Sequence, residues 1–319
     1  MKHEVLAMGP FYGPSLAQLD EIFTVHKAWL APDRDSFIAS VADRITAAST
    51  SGARGMDAAT MDKLPKLKII SHFGVGVDPV DTEAAKKRGI AVTNTPDVLT
   101  DDVADLTMAL LLATVRRVPQ GDRFLRAGGW LKGAFPLTDT FQGKTLGIIG
   151  AGRIGRAIAK RGAAFNLKIA YQGPNKKADL PWPHFADPVA LAREVDFLVA
   201  ACPGGEATRG LVSAAVLNAL GPKGVFVNIS RGSVVDEPAL IAALKSGTIL
   251  AAGLDVFANE PNVPDELRAM QNVVLLPHIG SASVVTRNAM DQLVVDNLKA
   301  WFAGKPPLTP VAETPVTSR

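Results

Sequence analysis

The stretch Leu146-Gly147-Ile148-Ile149-Gly150-Ala151-Gly152-Arg153-Ile154-Gly155-Arg156 decides the fold. A short apolar run stops at glycines spaced G-x-G-x-x-G, and an Ala- and Ile-rich helical pattern follows. Each glycine has a physical task in a dinucleotide site. Gly150 permits a tight turn out of a strand. Gly152 puts no side chain in the way of a pyrophosphate, and Gly155 lets a helix pack close to the strand. The free N–H groups and positive dipole end of that helix then face the phosphates. In a chain with 28 glycines the bare spacing would be weak. Its place between a strand and a helix makes it a fingerprint.

On either side of this stretch, strand-like and helix-like patches alternate. Before it, Val5–Met8, Ile45–Ala48, Lys68–Phe73 and Ile90–Asn94 read as short buried strands. Ser15–Ile22, Arg34–Val41 and Asp81–Arg88 read as the helices between them. Thr100-Asp101-Asp102-Val103 supplies an N-cap and first-turn acids to a strong helix that continues to Val115. Gly121–Gly143 reads as a loop. After the fingerprint, strands are expected at Leu167–Tyr171, Asp196–Ala201, Val225–Ile229, Gly253–Val256 and Val273–Leu276, with a further βα unit around Phe185–Ala192. A long helix, Ala282–Phe302, closes the pattern, and the Pro/Thr-rich stretch from Pro306 to Arg319 reads as irregular and exposed. The alternation implies parallel α/β sheets. At 319 residues the chain exceeds one ordinary core, so two domains are expected. The division expected is 99–284, which carries the fingerprint, set inside a discontinuous domain of 1–98 plus 285–319.

Composition excludes several classes. No apolar run is long enough to span a bilayer, and Met1-Lys2-His3-Glu4 lacks the apolar core of a signal peptide. The single cysteine, Cys202, rules out an internal disulfide framework and fits a reducing cytoplasm. Zinc-type cysteine spacings are absent, and no metal site is expected. A net charge of +3, with both signs mixed along the chain, gives no footprint for nucleic acid.

Three charged residues stand at or just past expected strand ends. They are Arg231 in Asn228-Ile229-Ser230-Arg231-Gly232, Glu260 in Asp255-Val256-Phe257-Ala258-Asn259-Glu260-Pro261, and His278 in Leu275-Leu276-Pro277-His278-Ile279-Gly280. Ligands of open α/β sheets bind beyond the carboxyl ends of the strands. Reduction of a 2-keto acid needs these side-chain types. A guanidinium can clamp a carboxylate and polarise a keto oxygen. An imidazolium can deliver a proton, and a neighbouring carboxylate orients it and favours its charged form. Read alone, a histidine is more often a packed structural residue, and Arg231 with Glu260 could form only an ion pair. It is the placement of all three at strand ends that points to chemistry.

With these motifs in place, the chain resembles the D-2-hydroxyacid dehydrogenases, most closely the glyoxylate/hydroxypyruvate reductase branch. The resemblance spans nearly the whole sequence. It includes Phe73-Gly74-Val75-Gly76-Val77-Asp78, Asn94-Thr95-Pro96, the Thr100 helix, the fingerprint, Arg231-Gly232-Ser233-Val234-Val235-Asp236-Glu237, Gly253-Leu254-Asp255-Val256-Phe257 and Pro277-His278-Ile279-Gly280. It implies an α/β fold of two doubly wound parallel-sheet domains, a flavodoxin-like substrate domain and a Rossmann NAD(P)-binding domain, with a cleft between them. By the same resemblance Arg231, Glu260 and His278 are catalytic, while Val75, Gly76, Leu99 and Trp130 contact substrate. The cofactor residues it implies are Thr100, Gly150, Gly152, Arg153, Ile154, Gly155, Cys202, Thr208, Ile229, Asp255 and Gly280. It also implies a homodimer through the nucleotide-binding domains, whose arm would include Gly129-Trp130.

One place departs from the NAD-type pattern. The strand after the fingerprint should end near an acid that holds the ribose 2′-hydroxyl. Here it runs Tyr171-Gln172-Gly173-Pro174-Asn175-Lys176-Lys177, with no acid until Asp179. Without that carboxylate a 2′-phosphate is not repelled, and Gln172, Asn175, Lys176 and Lys177 become its expected ligands. The bland reading of the two lysines is a solvated loop face. The expected function is NADPH-preferring reduction of glyoxylate and hydroxypyruvate, with NADH possible and His278 as general acid. Two alternatives stay open: a dinucleotide-sensing binding protein of the same fold, and a dehydrogenase for a larger acid such as 2-ketogluconate or an aryl pyruvate.

Overall fold

The computed structural model describes residues 2–11, 14–314 and 316. The chain divides into two compact units, one formed by Met1–Leu99 with Ser283–Arg319, the other by Thr100–Ala282. The first part of the discontinuous unit runs β1 (Glu4–Ala7), α1 (Ser15–Ile22), β2 (Thr24–Lys27), α2 (Arg34–Val41), β3 (Ala47–Ser51), α3 (Ala58–Asp62), β4 (Ile69–Phe73), α4 (Thr82–Lys87) and β5 (Ala91–Thr93). Its five strands are all parallel, in the order β2-β1-β3-β4-β5. Successive side chains point to opposite faces of such a sheet. Leu6, Ala48, Ile70 and Val92 therefore pack with Ile38, Val41 and Leu64 on one side. Their neighbours Val5, Ala47, Ile69 and Ala91 pack with Leu19 and Phe23 on the other.

The inserted unit opens with α5 (Thr100–Val115) and α6 (Val118–Arg126). It continues as β6 (Thr145–Ile149), α7 (Arg153–Ala164), β7 (Lys168–Gln172), β8 (His184–Phe185), α8 (Pro188–Arg193), β9 (Phe197–Ala200), α9 (Ala214–Leu220), β10 (Val225–Asn228), α10 (Glu237–Ser246), β11 (Ala251–Leu254), α11 (Asp265–Ala269) and β12 (Val273–Leu275). Seven parallel strands are ordered β12-β11-β10-β9-β6-β7-β8. The chain moves outward from β6 through β7 to β8, then returns to start the other half at β9. That reversal is the switch point of a Rossmann sheet, so the fold class is as expected from sequence. The second part of the discontinuous unit is α12 (Val284–Phe302), which lays Val295, Leu298 and Trp301 against the β1–β3–β4–β5 face.

Among the segments that differ from the sequence reading, two stand out. Val118–Arg126, which overlaps the expected loop Gly121–Gly143, is helical: Arg117 enters it with φ +51, Pro119 lies in its first turn, and Asp122 pairs with Arg126 one turn on at 2.8 Å. Proline is tolerated at that end of a helix because the missing N–H has no partner there. The tail after Pro306 is not simply exposed. β5 is the free edge of its sheet, and Thr93 there bridges antiparallel to Pro310 while Val311 N–H donates to the Val92 carbonyl at 2.9 Å. Val311 and Thr314 are buried as a result. An open edge leaves backbone groups unpaired, and the tail satisfies them. Residues 315 and 317–319 lie outside the described set.

Candidate active site

Strand register builds the site of the inserted unit. Ile149 pairs with Ala200, Ala200 with Asn228, Asn228 with Leu254 and Leu254 with Leu275. The carboxyl ends of β6, β9, β10, β11 and β12 thus form one level row. Gly150, Cys202, Arg231, Asp255 and His278 follow within a few residues of it.

The fingerprint turn is sterically determined. A Cβ on Gly150, whose φ is +96, would stand 2.6 Å from the Cys202 Cα, and one on Gly155 would stand 2.0 Å from the Gly150 carbonyl oxygen. Neither fits. A Cβ on Gly152 would meet nothing within 4 Å. That side is open at the start of the twelve-residue helix α7, whose first backbone N–H groups are of the kind that suit an anion. Arg153 is exposed and Ile154 half-buried at the same helix start.

Arg231 is set by its neighbours. Buried Asn228 accepts the Ser230 N–H at 3.0 Å and donates to the Arg231 carbonyl at 2.9 Å, and Arg231 Nη1 donates to the Ser230 carbonyl at 2.8 Å. A Cβ on Gly232 would lie 1.9 Å from the Phe257 carbonyl carbon, so only glycine lets this loop press against the segment that leads to Glu260. Glu260 Oε1 accepts the Phe257 N–H at 3.0 Å, and Oε2 lies 2.7 Å from His278 Nδ1. Burial pushes the Glu260 carboxyl up. The hydrogen bond and charge of His278, the Phe257 N–H and the Arg231 charge outweigh it and hold the group below its ordinary range. The three residues expected to be catalytic therefore act on one another, His278 by a hydrogen bond to Glu260 and Arg231 by its charge.

Asp255, expected as a cofactor contact, is 1% exposed and accepts the N–H groups of Ile279 and Gly280. Burial raises its carboxyl despite those two donors. The sequence reading missed this use of Asp255, as it missed Asn228 and Glu237, whose Oε2 accepts the Ala258 N–H at 3.1 Å. An Asn just before a Ser-Arg-Gly turn is the one local signal that could have been used.

At the adenosine end, Gln172 corrects an expectation. It is 8% exposed and donates one amide N–H to the Ala186 carbonyl at 3.0 Å, so it ties two strand ends together and is not the free solvent-facing donor expected. Asn175, Lys176 and Lys177 are exposed on the loop that follows. Asp179, the first acid past β7, is taken by Arg156, whose guanidinium holds its carboxyl below the usual range. No carboxylate of Gln172–Asp179 stands free to claim a ribose 2′-hydroxyl. Cys202 is buried, which pushes its thiol up to about 11 and makes it no nucleophile. Thr208 Oγ1 donates to the Pro203 carbonyl at 2.7 Å, Ile229 is buried, and Thr100 opens α5. Trp130 lies 71% exposed on a short turn at Gly129–Leu131.

In the discontinuous unit, the loop after β4 carries Gly74, Val75 and Gly76. Asn94 Nδ2 donates to the Val75 carbonyl at 2.8 Å, the Gly74 N–H donates to Thr95 Oγ1 at 3.0 Å, and the Thr95 N–H returns to the Gly74 carbonyl at 2.9 Å. Leu99 is buried.

Comparison with known proteins matches residues 108–280 to the family described as D-isomer specific 2-hydroxyacid dehydrogenase, NAD binding domain. The chain belongs to this family. It is 48% identical over 307 residues to hydroxyphenylpyruvate reductase of Plectranthus scutellarioides, covering 96% of this chain and 98% of that one. It shows the same identity and coverage with glyoxylate/hydroxypyruvate reductase A HPR2 of Arabidopsis thaliana. A solved NADPH-dependent glyoxylate/hydroxypyruvate reductase from Sinorhizobium meliloti, in complex with NADP and malonate, is 47% identical with a TM-score of 0.93, covering 100% of this chain and 99% of that one. This dehydrogenase is accordingly an oxidoreductase with a Rossmann NAD(P)-binding domain. Among its described residues no helix is long and apolar enough to cross a membrane.

Proposed function

We propose that this dehydrogenase reduces glyoxylate to glycolate and hydroxypyruvate to D-glycerate, with NADPH preferred. The observation that carries the reading is the coupling of His278 to Glu260 at 2.7 Å, on the same sheet edge as Arg231. When bound, NADPH supplies the hydride. His278 delivers the proton from Nε2 to the keto oxygen and keeps Nδ1–H on the Glu260 carboxylate, which compensates the imidazolium charge before transfer. Arg231 offers a planar fork to the carboxylate and polarises the keto oxygen. The backbone of Val75 and Gly76 takes the substrate carboxylate. Thr100, Gly150, Gly152, Arg153, Ile154, Gly155, Thr208, Ile229 and Gly280 line the dinucleotide, and Asn175, Lys176 and Lys177 meet its 2′-phosphate. The absence of a free acid after β7, with exposed lysines in its place, supports the preference for NADPH.

The protein works as a homodimer through the inserted unit. The support for this is that Trp130, Leu131 and Leu137, in the segment between α6 and β6, are 71%, 94% and 99% exposed. We place it in the cytoplasm, consistent with one buried free cysteine.

The test is steady-state turnover of glyoxylate and hydroxypyruvate with each cofactor, alongside light scattering for mass. Reduction of both acids, faster with NADPH, is expected. Tight NADPH binding with turnover near zero would instead identify a dinucleotide sensor, and preference for hydroxyphenylpyruvate would move the substrate to the aryl class.

A further inference from the structure

Thr309 sits far along the chain from the β4 loop, yet it grips the residue that holds that loop. The Asn94 N–H donates to the Thr309 carbonyl at 3.2 Å, and Thr309 Oγ1 donates back to the Asn94 carbonyl at 2.6 Å. Asn94 is thereby pinned on both sides of its backbone, and its side chain reaches the Val75 carbonyl at 2.8 Å. Thr309 is itself fixed from α12. Asn297 is fully buried; its Nδ2 donates to Thr309 Oγ1 at 2.9 Å and its Oδ1 accepts the Thr309 N–H at 3.1 Å. The bonds run from Asn297 through Thr309 and Asn94, and the last lands on a main-chain carbonyl of the loop.

We propose that Asn297, Thr309 and Asn94 form a positioning relay that sets the backbone of Val75 and Gly76 for the substrate carboxylate. The inference rests on the reading above that this loop binds that carboxylate. The physical argument is one of order. A loop whose N–H groups must converge on an anion gains from being held before the anion arrives, because the ordering entropy is then already spent. A loop at the carboxyl end of a parallel strand is where ligands of such sheets bind. Here its carbonyl is held by an amide that is buttressed by a tail and a helix from the other end of the chain. A tail needed only to cover the β5 edge could do so with backbone bonds. The Thr309 hydroxyl adds a side-chain bond to the Asn94 carbonyl just past β5 and is itself held by buried Asn297, so this end of the edge is fixed by more than main-chain pairing. Thr309, Asn94 and Asn297 touch neither substrate nor cofactor in this proposal; they act through Val75.

The experiment uses the full-length protein. Thr309→Val keeps the side-chain shape and removes the hydroxyl. The KM for glyoxylate should rise about five- to tenfold, the scale of one or two lost hydrogen bonds. The kcat should change far less, the Kd for NADPH should not change, and amide exchange in residues 74–76 should quicken. Thr309→Ser should restore all of these. Thr309→Ala, which leaves space instead of a methyl group, serves if the valine variant fails to fold. Gly76→Ala separates the two readings. A raised KM in Gly76→Ala with an unchanged KM and unchanged exchange in the Thr309 variants overturns the relay alone. An unchanged KM in Gly76→Ala overturns the loop's substrate role, and the relay with it. Equal loss of NADPH binding and glyoxylate binding in Thr309→Val would mark a general destabilisation and also overturn the relay.

Discussion

The Asp255 carboxylate accepts the N–H of Ile279 and the N–H of Gly280, each at 2.8 Å, and so anchors the turn that presents His278. His278 has φ +53, an unfavourable value for a residue with a Cβ. The anchoring offsets that cost. Asp255→Asn keeps the size but turns an amide donor toward one of the two N–H groups. It should destabilise the protein by about 1–3 kcal/mol, the cost of a buried donor left unpaired, and lower turnover. Thermal unfolding with parallel kcat measurement checks this; a variant with the parent's melting temperature and rate would mean that the turn is held by other means.

Glu260 sets the pH behaviour. Its carboxyl is held below the ordinary range, so the ionised partner is present above that range and is lost only as pH falls through the lowered value. Reduction should therefore keep the His278 partner through the ordinary carboxylate range and lose it only below that range. Glu260→Gln removes the carboxylate that titrates, so the acid-side loss of keto-acid reduction that comes from protonating Glu260 should disappear in the variant. A pH–rate profile of the variant that overlays the parent's would sink the pairing. His278→Ala should lose on the order of 10²–10⁴ in kcat.

Arg231→Lys retains charge but not the fork. It should cut kcat/KM for glyoxylate strongly while the Kd for NADPH stays near the parent value. Isothermal titration beside steady-state kinetics separates the two. Equal loss of cofactor affinity would move Arg231 to the dinucleotide or to a purely structural ion pair.

Gly232→Ala is the sharpest steric test of the site. The added carbon would overlap the Phe257 backbone at 1.9 Å, which no side-chain rearrangement relieves. Arg231 and Glu260 should separate, and kcat/KM should fall by at least the factor seen for Arg231→Lys. Wild-type kinetics in this variant would refute the close packing of the two segments.

Cofactor preference can be read in the Lys176→Ala/Lys177→Ala double variant. One well-placed charge-assisted contact is worth about a tenfold preference. The parent should favour NADPH by at least that factor in kcat/KM, less at high salt because exposed charges are screened. Loss of the preference in the double variant assigns it to the lysines; its survival would leave Asn175 or another donor to be found.

Much of this was legible in the sequence because it is local. The β6–Gly150–α7 turn shows itself through an apolar run and glycine spacing, and α5 through its cap and first-turn acids. Arg231, Glu260 and His278 could be singled out because their strands end in recognisable turns, although their 2.7 Å coupling needed the register of separate strands. β2 was not seen: Thr24–Lys27 is a half-buried edge strand with mixed character and no clean alternation. Gln172 was misread because nothing local tells whether an amide at a strand end faces solvent or the Ala186 carbonyl. Thr309 was read as part of a loose tail because its partner Asn94 is 215 residues away, and no periodicity encodes such a pairing.

The split of one unit around the other has a consequence for how the protein is made. Thr100–Ala282 leaves the ribosome as a continuous segment, with its whole sheet available before α12 exists. The first five strands must wait. Until Val284–Phe302 and the residues that follow have emerged, the face that takes Val295, Leu298 and Trp301 is bare and the β5 edge is open. Such edges invite pairing with other nascent chains. The discontinuous unit is thus the part of the fold that can be completed only once its last segment has emerged, and that segment acts as its clasp.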